Sequence, residues 1–282
     1  MNREKPKPIQ LLFTADEHYA VRIPTVLQSL QLSHPGRSSH IHLICDGLSE
    51  PAAAALRDAC ERMGFALFLY PVSEELFSDA PITKHYSKAM YYRMLASQIL
   101  PPTLDRVLYL DPDVLVINSL EPLWSLELNG CMFAAASHGE EDGLVSNVNR
   151  IRLDTASAYY NTGVLLMDLD QCRREVRPAE IFSFIRENEH KLLLPDQDVF
   201  NALFGGKTLL IPDELWNYDA RKYSHYLLRS GGEMDETWVI RNTAVLHFCG
   251  NEKPWNTHYR YRFGLLYRHY EQLCIRDRNN NP

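Results

Sequence analysis

The chain has 282 residues, with 29 Lys+Arg against 36 Asp+Glu, a net charge of −7. The acidic surplus argues against a general nucleic-acid binder, which would carry a basic face. With 45% hydrophobic and 23% charged residues, the composition excludes a disordered chain, and at this length a sizeable core forms without staples.

After the polar start Met1 to Pro8, the apolar run Ile9–Phe13 has the brevity of a strand. Val21–Leu32 follows with helical spacing, and His40–Cys45 is a second strand. Ser49 caps a helix that has Pro51 in its first turn and stops at Gly64. Phe65–Tyr70 is a third strand, residues 85–99 read as a helix ended by Pro101-Pro102, and Arg106–Leu110 is a fourth strand. Further strands fall at Met132–Ala136, Val164–Met167, Thr208–Ile211 and Ala244–Phe248, with Ser137–Ala156 and Tyr218–Glu236 read as loops between them. This strand–helix alternation implies an α/β fold, a Rossmann-like, mostly parallel central sheet flanked by helices. No linker precedes residue 255, so residues 1–255 read as one domain and residues 256–282 as a C-terminal helical extension.

The six cysteines (45, 60, 131, 172, 249, 274) are scattered without a Cys-x-x-Cys, the usage of reduced core thiols in a cytoplasmic protein. No stretch approaches the roughly 18 apolar residues of a spanning helix.

Four stretches carry chemistry. The strand Val107–Leu110 runs into Asp111-Pro112-Asp113, and ligands of open α/β sheets bind at the carboxyl ends of strands. Two carboxylates there make a hard oxygen site suited to Mg²⁺ or Mn²⁺; an ordinary Asp-Pro-Asp turn is the alternative. In the second stretch, His247-Phe248-Cys249-Gly250-Asn251-Glu252-Lys253-Pro254-Trp255, an imidazole completes a Mn²⁺ site better than a Mg²⁺ one, and Lys253 offers a point charge to phosphate. Pro195-Asp196-Gln197-Asp198 opens a helix running to Leu203, where Asp198 suits the helix dipole as a first-turn cap. Tyr159-Tyr160-Asn161-Thr162-Gly163 precedes a strand, a small-residue turn that lets backbone approach a ligand. Phosphatases with a nucleophilic Asp also place Asp-x-Asp after a strand, but they need a later Asp-Asp or Gly-Asp, and the chain contains neither.

Together these stretches resemble glycosyltransferase family 8, including its bacterial lipopolysaccharide galactosyl- and glucosyltransferases, general stress proteins and glycogenins. The resemblance runs from Ile9 to about Trp255. It rests on Phe13-Thr14-Ala15-Asp16 with Tyr19, Tyr91-Tyr92-Arg93, Tyr109-Leu110-Asp111-Pro112-Asp113, Tyr160-Asn161-Thr162-Gly163-Val164, Pro195-Asp196-Gln197-Asp198, and His247-Phe248-Cys249-Gly250 with Lys253-Pro254-Trp255.

It implies a GT-A fold, a metal-dependent UDP-sugar site and transfer of glucose or galactose with retention. Asp111, Asp113 and His247 would then hold Mn²⁺ (or Mg²⁺). Thr14, Ala15, Asp16, His18, Tyr19 and Pro112 would line the nucleotide, and Gly250 and Lys253 the diphosphate. Arg93, Asn161, Thr162, Gly163, Asp196 and Gln197 would contact the donor sugar. Gln197 would lie under the reacting carbon, with Asp196 as the carboxylate that a double displacement would need. His18 stands where the galactosyltransferases often have Asn.

The implied partners are the UDP-sugar and a saccharide acceptor on a glycolipid, cell-wall polymer or glycoprotein. Self-glucosylation on a tyrosine and a non-catalytic nucleotide-sugar binder are the alternatives. Ala80–Lys88, holding His85, and the loop Trp216–Glu236 are candidate acceptor walls. In residues 256–282, Tyr259, Phe263, Leu266, Tyr267, Tyr270 and Leu273 recur at helical spacing beside five arginines. Such a helix either docks peripherally on the anionic inner membrane face or packs on the catalytic domain.

Overall fold

The computed structural model describes residues 7–72, 75–81, 89–138 and 144–280. Seven strands form the main sheet: β1 (Ile9–Thr14), β2 (Ser39–Cys45), β3 (Ala66–Pro71), β4 (Arg106–Leu110), β6 (Phe133–Ala136), β7 (Val164–Asp168) and β8 (Thr208–Ile211). Their order is β3-β2-β1-β4-β7-β6-β8. The first four run parallel; β7 is antiparallel to both β4 and β6, and β8 returns parallel to β6. Runs such as Leu11-Leu12-Phe13 and Val107–Leu110 are buried throughout, because helices cover both faces of a parallel sheet. The fold is therefore the expected mostly parallel α/β sheet.

A second, three-stranded sheet joins β5 (Val114–Val116), β9 (Tyr218–Asp219) and β10 (Val245–His247) in the order β5-β10-β9. It was not expected as a separate sheet, since all three of its strands are three residues long or shorter. Its register sets His247 opposite Val114 and beside Asp219, which brings the second aspartate of Asp-Pro-Asp next to the strand-end imidazole.

Several elements differ from the sequence reading. Of the helix expected over 85–99, residues 85–88 lie outside the described residues, and the rest is two short helices, Ala89–Tyr92 and Ala96–Ile99. The turn between them releases Arg93, whose guanidinium reaches the Thr162 carbonyl at 3.0 Å. The expected loop Ser137–Ala156 contains a helix, Leu144–Leu153. Its Ser and Asn residues hide the helical signal, and Arg150 and Arg152 fasten it by bonds to Ser157 O and Asp198. The expected loop Tyr218–Glu236 likewise holds β9 and a helix, Tyr223–Arg229. Ser49 does cap its helix, accepting from Ala52 N.

The C-terminal helix Gly264–Asn280 packs against the helix Ile23–Ser33, with Arg22 and Glu271 paired at 3.5 Å. Tyr259, Phe263 and Tyr267 are buried in one cluster with Leu115 and Tyr218 of the second sheet and Phe248 just after it. The aromatic stripe that sequence allowed to face lipid is thus spent on the core, because the second sheet leaves an apolar face that this stripe covers. Among the described residues no helix is long and apolar enough to cross a membrane.

Candidate active site

The strand ends bring three side chains that could hold a metal ion to one point. β4 ends just before Asp111, β5 begins just after Asp113, and β10 ends at His247. His247 Nε2 lies 3.3 Å from Asp113 Oδ1 and 3.8 Å from Asp111 Oδ2, and donor atoms of the three residues all fall within 4.8 Å of one another. The Tyr109 hydroxyl donates to Asp111 Oδ1, while Lys253 pairs with Asp113 and also donates to Phe248 O. Burial alone would raise the Asp113 pKa, but His247 and Lys253 outweigh it and hold the carboxyl well below its usual range.

Gly163 explains how the chain passes this cluster. A Cβ there would lie 2.2 Å from His247 Cε1 and 2.9 Å from Asp111 Oδ2, so only glycine leaves room for both ligands. Its carbonyl receives the Asp111 amide at 2.8 Å, tying β7 to the strand end. Gly250, at φ +84°, turns against Arg221, in backbone space that glycine reaches without strain.

Asn217, which sequence reasoning missed, organises the cleft. It is fully buried. Its Oδ1 lies 2.8 Å from His247 Nδ1 and must accept there, because its Nδ2 donates to Asn161 Oδ1 at 2.9 Å. Asn161 Nδ2 in turn donates to Gln197 Oε1 at 3.1 Å. Gln197 also hydrogen-bonds the Tyr159 hydroxyl, whose own proton goes to Asp198 Oδ1 at 2.6 Å. One directed chain therefore runs from the imidazole to Gln197. It fixes the His247 Nδ1 proton toward Asn217 and turns Nε2 to the two carboxylates. Burial would lower the imidazole pKa, but Cys249 and Asp113 outweigh it and raise it well above its usual value. Without a metal Nε2 therefore also carries a proton, which an ion held by the three residues would displace. A pair of carboxylate oxygens and an aimed imidazole nitrogen fits a hard-to-borderline divalent ion.

Asp198 does not cap its helix, Pro195–Phe204. Its carboxylate turns back to accept from Leu193 N, Leu194 N, Tyr159 and both terminal nitrogens of Arg152. It is fully buried, and these bonds hold its pKa low against desolvation. Arg93 sits between two carboxylates, 3.1 Å from Asp111 Oδ1 and 3.6 Å from Asp196 Oδ2, and also bonds Thr162 Oγ1 at 3.2 Å. Its guanidinium lies over the Tyr109 ring.

A cleft of about 940 Å³ gathers Arg93, Asp111, Asp113, Asn161, Thr162, Gly163, Asp196, Gln197, His247, Gly250 and Lys253. The other expected residues stand outside that lining. Thr14 and Ala15 are buried at the end of β1, where Thr14 Oγ1 meets Tyr109 Oη at 3.2 Å. Asp16 caps the short helix Glu17–Ala20 through Tyr19 N, and His18 is exposed, edge-on to Tyr19. Tyr19 packs edge-on against Trp255; burial raises its pKa, which the nearby Lys253 partly offsets. Pro112 is buried between the two aspartates. Of the expected acceptor walls, residues 82–88 with His85 lie outside the described residues. In the other, Asp219, Arg221, Lys222 and His225 do line the cleft.

The family model for glycosyl transferase family 8 matches residues 10–258. General stress protein A of Bacillus subtilis is 26% identical over 99% of this chain and 98% of its own length. Lipopolysaccharide 1,2-glucosyltransferase of Escherichia coli is 26% identical over 88% of this chain and 73% of its own. Among solved structures, the galactosyltransferase LgtC in complex with donor and acceptor sugar analogs superposes with a TM-score of 0.76 at 26% identity, over 94% of this chain and 96% of that one.

Proposed function

The chain belongs to glycosyl transferase family 8 and is a glycosyltransferase; on that premise we propose that it moves glucose or galactose from a UDP-sugar to a saccharide acceptor on a glycolipid, cell-wall polymer or glycoprotein, with a divalent metal and with retention at the anomeric carbon. One observation carries the reading: the aspartate pair, the imidazole and Lys253 share a cleft with Gln197, and a directed hydrogen-bond chain joins the two halves. The family leaves no place for a phosphatase built on Asp111.

In this reading Asp111, Asp113 and His247 hold Mn²⁺, which when bound neutralises charge gathering on the departing UDP. Lys253 adds a fixed positive charge and Gly250 a close backbone approach to the diphosphate. Thr14, Ala15, Asp16, His18, Tyr19 and Pro112 serve the nucleotide. Arg93, Asn161, Thr162, Gly163 and Asp196 serve the sugar, with Arg93 kept charged and in place by Asp111 and Asp196. Gln197 Oε1 spends one lone pair on Asn161 and keeps the other for the positive character that develops on the sugar. A neutral amide is a poor covalent nucleophile, so we favour front-face attack. The acceptor proton then passes to the departing phosphate oxygen.

A screen of UDP-sugars for UDP release by the purified protein tests the reading. UDP-glucose or UDP-galactose should be turned over with Mn²⁺ and not in chelator, and Asp113→Asn should abolish turnover without unfolding the chain. Full activity in chelator, or no UDP-sugar turned over, refutes it.

A further inference from the structure

A second set of metal donors stands in the same cleft, beside the catalytic cluster, where Cys249 touches His247 as well as His138. His138, Asp219 and Cys249 offer one imidazole nitrogen, one carboxylate oxygen and one sulfur, all within 4.8 Å of one another. His138 follows β6, Asp219 ends β9 and Cys249 follows β10. The last two are buried, and all three line the cleft.

Each donor can turn a lone pair to an ion. His138 Nε2 lies 2.6 Å from the Asn217 carbonyl oxygen. A carbonyl only accepts, so the ring carries a proton on Nε2, and the other side-chain partner of His138 is the Cys249 sulfur, a contact that an ion between Nδ1 and Sγ would replace. This is the backbone anchoring that commonly sets the tautomer of a metal-binding histidine. Asp219 Oδ1 accepts twice from Arg221, but Oδ2 accepts once, from Arg221 Nη2 at 2.7 Å, so a carboxylate lone pair remains. Cys249 gives a sulfur ligand once its proton leaves to solvent. Asn217 anchors both sets, His138 through its backbone carbonyl and His247 through its side chain.

The chemistry of this second set differs from that of the first. One thiolate, one imidazole and one carboxylate are the ligands of a tetrahedral Zn²⁺ site with an open position for water, whereas two carboxylates and an imidazole suit a harder ion. With Zn–S near 2.3 Å and Zn–N near 2.0 Å, tetrahedral donors stand about 3.5 Å apart. The three donors, within 4.8 Å of one another, therefore close by at most about 1.3 Å to reach that spacing. We propose that His138, Asp219 and Cys249 form a second, sulfur-containing site that binds Zn²⁺ beside the catalytic metal site.

Co²⁺ is the probe, because cobalt bound to a thiolate shows a charge-transfer absorption that cobalt bound to oxygen and nitrogen lacks. Metal-free full-length protein titrated with Co²⁺ should develop that band. Cys249→Ser should remove it, and Asp111→Asn/Asp113→Asn should keep it. Zn²⁺ in equilibrium dialysis should fall from two equivalents in the wild type to one in Cys249→Ser. Should Cys249→Ser fail to fold, alkylation of the wild type serves instead. Zn²⁺ should slow alkylation of Cys249 by at least tenfold, with the other five cysteines as internal controls. No thiolate band in the wild type, or no protection of Cys249, overturns the proposal. Loss of the band in Asp111→Asn/Asp113→Asn also overturns it, since Cys249 would then be a ligand of the catalytic metal rather than part of a separate site.

Discussion

Replacing Asn217 tests whether one amide holds the metal-site imidazole and Gln197 in a common frame. Its side chain accepts from His247 at 2.8 Å in a buried bond and donates to Asn161 at 2.9 Å in a half-buried one. Asn217→Ala removes both bonds and leaves the backbone carbonyl under His138 in place. The His247 Nδ1–H is then buried without an acceptor, a loss of about 1–3 kcal/mol. The ring relieves it by turning or by keeping its proton on Nε2 alone, and either change withholds the Nε2 lone pair from the ion. The expected loss is about 10–100-fold in Mn²⁺ affinity, or about 1.4–2.7 kcal/mol.

Asn217→Asp separates the two halves. The carboxylate still accepts from His247 but faces Asn161 Oδ1 with no donor. Asn161 must rotate its amide, which takes Nδ2 away from Gln197. Mn²⁺ affinity should be held or raised while turnover of the UDP-sugar falls about tenfold, the worth of one lost hydrogen bond to a preorganised group. Calorimetric Mn²⁺ titration of metal-free protein, with UDP release at saturating Mn²⁺, reads the two quantities separately. Wild-type Mn²⁺ affinity in Asn217→Ala, or parallel loss of affinity and turnover in both variants, would refute the relay and leave Asn217 a purely structural residue.

Gly163→Ala should weaken Mn²⁺ binding by more than tenfold in the same titration, since its Cβ would fall 2.2 Å from the His247 ring. The overpacking itself costs about 1–3 kcal/mol, so melting should drop by only a few degrees. A chain ending at residue 257 loses Tyr259, Phe263 and Tyr267, all buried. At about 3–5 kcal/mol for each large core aromatic removed, the loss rivals the whole stability of a typical domain. That chain should be insoluble or molten, and a soluble, cooperatively melting product would show that the helix is an appendage. His42 is stacked beside Phe68 and bonded to Gln10 and Tyr70, and burial, with His40 nearby, lowers its pKa to about 4. The folded state therefore keeps His42 neutral while the unfolded chain takes up a proton below about pH 6.5. That contribution is full above pH 6.5 and is lost as pH falls toward 4. Relative to His42→Gln, the wild type should lose about 1–2 kcal/mol between pH 7 and 5 in urea unfolding; identical pH slopes would contradict this.

Much of the candidate site was legible because covalent order carries it. Asp111 and Asp113 follow a buried apolar run, so position at a strand terminus already placed them on the ligand-binding edge of the main sheet; His247 ends another run, and the register of the second sheet brings it to them. Gly163 and Gly250 stood out as small residues beside strands, although only the fold shows that a Cβ would strike His247 or Arg221.

What stayed hidden depends on partners far away along the chain. Asn217 meets His247 across 30 residues and Asn161 across 56, and Asp198 meets Arg152 across 46. In the sequence Asn217 is one polar residue in a stretch that reads as loop, and Asp198 suits a helix cap. A hydrogen bond has no periodicity, so nothing local marks its other end. The C-terminal stripe shows the same division. Spacing alone marked an amphipathic helix within residues 256–282, because period 3.6 is a property of the chain itself; the helix is Gly264–Asn280, and Tyr259 and Phe263 join its face from the segment just before it. Whether its aromatic face met lipid or protein was decided by the second sheet, which with Phe248 just after its last strand offers Leu115 and Tyr218 as an apolar surface that Phe263 and Tyr267 exclude from water.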